Sequence, residues 1–297
     1  MRQRLALALL LAPLAALTAC SAPTDGGGAQ PGAPTGDTPQ ATGTAATTEC
    51  QKGSLEVVTP GSLTVGTDKP AYAPWFADDD PANGKGYESA VAYAVADKLG
   101  FDKKEVSWVV VPFNTAIAPG PKKFDIDLNQ ISISDDRRQA VDFSSGYYDV
   151  QQTVVTYKGS PLDGKRAVAD LAGAKLGAQV GTTSYTAITG QIKPSTPPNA
   201  FDTNDLAVQA LKNHQIDGIV VDLPTAFYMT AAQLDDGVIV GRLPQFGGKP
   251  EQFGAVLDKG SSLTPCVSQA VDALREDGTL EKLERQWLDK QGAPELQ

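Results

Sequence analysis

The sequence predicts an α/β protein with largely parallel sheets, on three observations. Short β-branched runs alternate with helical stripes from Gly61 onward. A length of 297 residues suits about two domains. The hydrophobic fraction, 41%, is that of an ordinary globular chain able to bury a core.

Ser62 to Gly66 reads as the first strand. Tyr87, Val91, Val95 and Leu99 recur at four-residue spacing, which sets them on one face of a helix ending at Gly100. Val106 to Val111 is expected as a buried strand, and Ile126 to Ile131 as another after a short helical stretch. Further strands are expected at Thr153 to Tyr157, Ala174 to Val180, Gly218 to Val221, Val238 to Val240 and Phe253 to Leu257. Helices are expected at Thr183 to Ile192, Asn204 to Asn213 and Thr225 to Leu234. Two more close the chain, one carrying Val267, Ala270, Val271 and Leu274, the other Leu280, Leu283, Trp287 and Leu288.

The N-terminal residues differ in kind. Arg2 and Arg4 precede an uncharged apolar stretch, Leu5 to Leu17, whose 13 residues fit the core of a signal peptide and fall short of the roughly 20 needed to span a bilayer. Leu17-Thr18-Ala19-Cys20 resembles a bacterial lipobox, so residues 1–19 are expected to be removed and Cys20 to be diacylated. An ordinary secretory signal with an incidental cysteine is the alternative. Ser21 to Thr48 contains no large apolar or basic residue and cannot form a core. Residues 20–49 are therefore expected to act as a flexible tether, with a reach of roughly 30 Å for 28 residues of coil. With Cys20 lipidated, Cys50 and Cys266 remain as an even pair in an oxidising compartment, and a disulfide between them is expected.

Charge and composition exclude several functions. The formal net charge is −10, and loss of residues 1–19 with their two arginines leaves −12. Such a chain lacks the basic footprint that nucleic-acid binding needs. His214 is the single histidine, which rules out a His-rich metal site; it stands between a helix and a strand and is expected in a solvated loop. No metal and no cofactor are expected.

A series of motifs then runs through the body. Gly66-Thr67-Asp68 ends the first strand and is followed by Pro70-Ala71-Tyr72-Ala73-Pro74-Trp75. Gly86-Tyr87-Glu88 opens a helix that ends in Leu99-Gly100-Phe101. Ile131-Ser132-Ile133-Ser134-Asp135-Asp136-Arg137 precedes Val141-Asp142-Phe143-Ser144 and Tyr147-Tyr148. After these come Ala178-Gln179-Val180-Gly181-Thr182-Thr183, Gln209-Ala210-Leu211 with Asp217, Val221-Asp222-Leu223-Pro224, and a tail from Asp277-Gly278-Thr279-Leu280 to Trp287. In this order, from about Gly61 to Leu288, the chain resembles the polar amino-acid-binding proteins of bacterial ABC importers.

The resemblance implies the two-lobed, type II periplasmic-binding-protein fold, with two crossing hinge strands near Ser145–Asp149 and Lys249–Phe253. Residues 50–146 plus 252–297 would form lobe I and residues 147–251 lobe II, with a ligand in the cleft between them. A free amino acid asks for a planar, permanently charged double donor at its carboxylate. The family's spacing to Asp-Phe-Ser selects Arg137 for that role; a surface ion pair with Asp135 or Asp136 is its alternative, and Arg138 reads as surface. Thr183, where a strand turns into a helix, would add a backbone donor. Asp222 would take the ammonium, or else cap its helix, and Ser132 would bridge both groups.

Tyr72, Trp75 and Phe113 match the region where the family holds ligand side chains between aromatics, and Asp68 lies where a side-chain contact is made. Lobe packing for Trp75 and a turn role for Asp68 are the alternatives. Glu88 reads as a first-turn acid favoured by the helix dipole. Ser132 and Ser134 replace the usual threonines, and Gln130 stands where many relatives carry glycine, placing an amide at the cleft edge.

The expected function is a monomeric, lipid-anchored receptor on the outer face of the cell membrane, which captures a polar amino acid and passes it to a membrane permease. Two other readings compete. The fold also resembles periplasmic dehydratases of the prephenate and arogenate class, for which Asp68 could act as acid or base. A sensor domain of a signalling receptor is disfavoured, because no second apolar run follows the binding body.

Overall fold

The computed structural model describes residues 50–245, 250–288 and 292–297. The signal sequence, Cys20, the tether to residue 49, and Lys249 in the second hinge lie outside the described residues. The elements are β1 (Leu63–Thr67), α1 (Tyr87–Lys98), β2 (Val106–Val110), α2 (Phe113–Ala116), β3 (Ile126–Asp127), α3 (Asp135–Arg138), β4 (Asp142–Val150), β5 (Gln152–Tyr157), β6 (Leu176–Gln179), α4 (Thr183–Ala187), β7 (Asn199–Phe201), α5 (Asn204–Lys212), β8 (Gly218–Asp222), α6 (Leu223–Tyr228), β9 (Gly237–Arg242), β10 (Glu251–Leu257), α7 (Thr264–Glu276) and α8 (Thr279–Trp287). Helices α4 and α6 continue as π turns over Ile188–Ile192 and Met229–Gln233.

Among the described residues the strands form two five-stranded sheets, ordered β2-β1-β3-β10-β4 and β7-β6-β8-β5-β9. Each is mixed rather than largely parallel. β1 runs parallel to β2 and β3, and β6 to β7 and β8, through crossovers containing helices. The pairs β4–β10 and β5–β9 are antiparallel. They flank the two passages of the chain between sheets, where no crossover helix is needed.

These passages set the lobe boundary. β4 stays paired to β10 as far as Val150, which faces Glu251, and β5 begins at Gln152 in the other sheet. The chain therefore changes lobes at Gln151, later than the expected 146/147. Two further expectations are corrected. Val106 to Val111 is not a buried strand, because β2 is the sheet edge and Val110 is 64% exposed. The strand expected over Ile126 to Ile131 is paired in register only at Ile126 and Asp127; Leu128 and Ile131 enter the lobe I core, and Asn129 and Gln130 form cleft wall.

Lobe I is built on Trp75, Tyr87, Tyr147, Tyr148 and Phe253, with α1 and α7 packed over the sheet. Gly86 begins α1 in a left-handed conformation (φ 96°), and a Cβ there would lie 2.4 Å from the Trp75 carbonyl oxygen, so only glycine lets α1 approach this loop. Cys50 and Cys266, both in lobe I, form a disulfide with Cα atoms 5.2 Å apart. Lobe II buries Val154, Leu171, Leu176, Ile188 and Val220 on one side of its sheet and Val155, Leu211, Ile219 and Met229 on the other.

The tail was expected in lobe I with the rest of 252–297, and its last residues depart from that. Leu288, after α8, is buried in lobe I, whereas Leu296 is buried in the core of lobe II. Arg242, closing β9, holds this tail through its backbone. Its N–H donates to the Pro294 carbonyl and its carbonyl accepts from Leu296, at 2.8 and 2.9 Å. Its Nε donates to the Ala293 carbonyl at 2.8 Å. Gly241 leaves the room, since a Cβ there would lie 2.8 Å from the Pro294 oxygen. Leu296→Ala is expected to cost about 2–5 kcal/mol of stability, read by urea denaturation; an unchanged midpoint would show that the tail does not complete the lobe II core.

Candidate functional site

A cavity between the lobes is lined from lobe I by Asp68, Tyr72, Phe113, Asn129, Gln130, Arg137 and Phe253. From lobe II it is lined by Gln152, Gln179, Thr182, Thr183, Ser184, Asn204, Val221, Asp222 and Thr225. Of the residues selected from sequence, Asp68, Tyr72, Phe113, Gln130, Arg137, Thr183 and Asp222 meet here. Ser132 sits behind this wall, and Trp75 lies outside it.

Arg137 reaches the cavity because Ser134 caps α3, accepting from the Arg137 N–H at 3.3 Å. Its guanidinium points away from Asp135 and Asp136. It donates to the Ser132 carbonyl at 2.5 Å and across the cleft to the Gly181 carbonyl at 2.8 Å, and it lies 5.5 Å from the centre of the Phe113 ring. Burial lowers its pKa to about 10, against a smaller opposing pull from Glu251. Arg138 is exposed and lies over Phe143.

Opposite Arg137, Asp222 ends β8 and begins α6. Its side chain makes no capping bond to the helix, and its carboxylate accepts from the Thr225 hydroxyl at 2.8 Å. Desolvation raises its pKa to about 7, and the neighbouring charge of Glu251 adds to the rise. Thr183 is the first residue of α4. The capping side chain is that of Thr182, which accepts from Tyr185 N–H at 3.2 Å.

Asp68 combines both roles considered for it. Its carboxylate accepts from Lys69 N–H at 2.7 Å and Phe113 N–H at 3.1 Å, holding a turn, while it also lines the cavity. Tyr72 stands 6.5 Å from Tyr228 of the other lobe. Burial, followed by a hydrogen bond to the Asp205 carboxylate, raises its phenol pKa. Trp75 is wholly buried, edge-on to Tyr87, Tyr148 and Phe253 at 5.2–6.0 Å.

Glu88 is a first-turn acid as expected, and it does more than favour the helix dipole. It is a first-turn residue of α1 but is fully buried, accepting from the Tyr147 hydroxyl, from Gln130 N–H at 2.7 Å and from the Gln130 side-chain amide. Desolvation raises its pKa to about 7. Gln130 adopts φ 49°, a conformation that favours glycine, and Glu88 holds both its backbone and its amide there. The amide expected at the cleft edge is thus turned toward Glu88.

Sequence reasoning missed Glu251 and Gln152. The Glu251 carboxylate accepts from the Ser132 hydroxyl and, at 3.3 Å, from the Gln152 amide, which in turn accepts from Ser184 at 2.8 Å. Ser132 Oγ also lies 3.1 Å from Thr183 Oγ1 of lobe II. Their signal was position: each is a polar residue at the start of a strand entering a lobe core. Among the described residues no group of His, Cys, Asp and Glu could hold a metal ion, and no helix is long and apolar enough to cross a membrane.

Arranged this way, the cavity can take a molecule with an anion at Arg137, a cation at Asp222 and a further polar group toward Asp68. Comparison with known proteins agrees in kind. Residues 63–290 match the bacterial extracellular solute-binding proteins, family 3. The chain is 30% identical over 233 residues to a probable histidine-binding protein of Campylobacter jejuni, covering 77% of this chain and 86% of that one. It is 28% identical over 229 residues to the L-cystine-binding protein TcyJ of Escherichia coli, covering 76% and 82%. Its fold matches an ancestral amino acid-binding protein, a precursor of cyclohexadienyl dehydratase, with a TM-score of 0.62 and 30% identity over 76% of this chain and 95% of that one.

The buried carboxyls predict a pH dependence of stability. Burial raises Glu88 and Asp222 to about 7, and Asp127 well above its ordinary value. The folded state holds protons that the unfolded chain releases near pH 4. Their stabilising contribution is complete below that pH and is lost as pH rises through about 7. The melting temperature of the ligand-free protein is expected to fall between about pH 5 and pH 8; a melting temperature that does not fall across that window would show that these groups are not held protonated by the fold.

Proposed function

Because the chain belongs to the bacterial extracellular solute-binding proteins, family 3, we propose that it captures a free polar amino acid between its lobes and delivers it to the permease of an ABC importer. On this reading it works as a lipid-anchored monomer, held through Cys20 at the outer face of the cell membrane. It binds its ligand without turning it over.

The observation that carries the proposal is the placement of Arg137 and Asp222 on opposite lobes of one cavity. An α-carboxylate on Arg137 and an α-ammonium on Asp222 would each relieve a desolvated partner charge. The zwitterion would touch both lobes, so its binding favours the closed form by differential affinity alone. Asp68 beside Tyr72 and Phe113 favours a cationic or amide side chain. The named relatives are a probable histidine-binding protein and an L-cystine-binding protein, which supports the ligand class.

The dehydratase reading retains one supporting observation, that the Asp222 carboxyl, raised to about 7, has the proton affinity of a general acid. Incubation with prephenate or arogenate, with product sought by mass spectrometry, decides between turnover and capture.

Titration calorimetry against the twenty amino acids and cystine is the direct test of capture. Arg137→Ala is expected to lose roughly 3–5 kcal/mol of binding free energy to the best ligand. Undiminished affinity in this variant would remove Arg137 from the carboxylate site. Affinity is also expected to weaken as pH falls below about 7, approaching tenfold per unit, because the ammonium needs an ionised Asp222 and binding must then expel a proton. Affinity independent of pH from about 5 to 8 would assign the ammonium to another partner.

A further inference from the structure

Trp75 was selected for the ligand site, and the structure places it outside the cavity, yet it is joined to that site by a single intermediary. Its ring is fixed in the lobe I core by Tyr87, Tyr148 and Phe253. Its indole N–H crosses to lobe II, where it lies 3.1 Å from Thr225 Oγ1, and Thr225 Oγ1 lies 2.8 Å from Asp222 Oδ2. Both hydrogen bonds are buried.

We propose that Thr225 is a positioning residue that couples lobe closure to the ammonium-binding carboxylate, by accepting the Trp75 indole N–H from one lobe while donating its own proton to Asp222 in the other. The inference rests on Asp222 serving the ammonium as proposed above.

The direction of the relay is fixed by chemistry. An indole nitrogen only donates, an ionised carboxylate only accepts, and a threonine hydroxyl has one proton to give and lone pairs to receive. The chain can therefore run only from Trp75 through Thr225 to Asp222. The start of α6 reinforces this. Pro224 has no N–H to offer, and Asp222 makes no capping bond to the helix, so the Thr225 hydroxyl is the side-chain donor that sets its rotamer.

When the lobes part, the indole loses this acceptor, and a buried polar group without a partner is costly. When they close, the accepted bond polarises the hydroxyl and strengthens its donation to Asp222. Trp75 thereby contributes to ligand affinity without touching the ligand. Thr225→Val keeps the shape and removes the hydroxyl, Thr225→Ser keeps the hydroxyl, and Trp75→Phe keeps an aromatic ring and removes the N–H.

The experiment is titration calorimetry of the full chain and its variants, using as titrant the tightest binder among the twenty amino acids and cystine. Thr225→Val and Trp75→Phe are each expected to weaken binding about tenfold, Thr225→Ser to stay within about threefold of wild type, and the double variant to be no weaker than the weaker single one. Wild-type affinity in both single variants, losses that add in the double variant, or failure of Thr225→Ser to restore binding would each overturn the relay. Should Thr225→Val fail to fold, Trp75→Phe and Thr225→Ser decide the matter by the same criteria. If the wild type binds none of these titrants, the amino-acid reading falls and takes the relay with it; if the wild type binds and the variants match it, the relay alone falls.

Discussion

The antiparallel ladder between β4 and β10 is the constraint on which the rest of the molecule hangs. It pairs the last two strands of the lobe I sheet, and its last pair, Val150 with Glu251, stands where the chain passes to the other lobe. The end of β4 and the start of β10 are thus clamped side by side on one lobe. The polar residues next to this seam gain their positions from it. Glu251 ends the ladder and Gln152 begins β5, so their side chains meet at the hinge, and Ser132 is held against Phe253 of β10 by a bridge. The wall of the binding cavity is in this sense an extension of the hinge.

Electrostatics in the cavity follow from burial. Arg137 is lowered and Asp222 raised because each has left water without a full counter-charge, while Glu251 adjoins both and acts on them in the same upward direction. On the proposed reading, an amphoteric molecule would return what desolvation took from each partner, whereas a simple anion or cation would leave one of them uncompensated. Glu88 spends its buried acceptors differently. It satisfies the Tyr147 hydroxyl and both donors of Gln130, and so stabilises a left-handed residue in the cleft wall where a glycine would need no such support.

The sequence made legible whatever depends on local pattern or on ordered motifs. The four-residue stripe of α1, the β-branched runs of β5 and β8, and the cysteine pair were readable because each is a short-range or compositional signal. What was hidden depends on pairing between distant segments. β2 could not be known as an edge, nor β4 as a nine-residue strand running through Gly146, because neighbours in a sheet are not neighbours in sequence. Glu88 looked like a dipole-favoured first-turn acid, since nothing local records that Tyr147 and Gln130 would converge on it. Trp75 had the right chemistry for a ligand contact and the right place for a lobe core, and its indole N–H serves neither purpose but reaches the other lobe. The docking of Leu296 on lobe II had no local signal at all.

Among the described residues, polar contacts across the cleft include Arg137 to the Gly181 carbonyl, Ser132 with Thr183, Trp75 with Thr225 and Tyr72 with Asp205. Each is worth about 0.5–1.5 kcal/mol net, so together they favour closure by only a few kcal/mol, of the order of the ordering cost they oppose. An equilibrium so nearly balanced is readily moved, because a shift from mostly open to mostly closed needs about 5.5 kcal/mol of differential affinity. On the proposed reading, two buried charge-assisted contacts, one to each lobe, would supply energy on that scale. The tail adds a covalent path to this balance, since Leu288 is anchored in lobe I and Leu296 in lobe II.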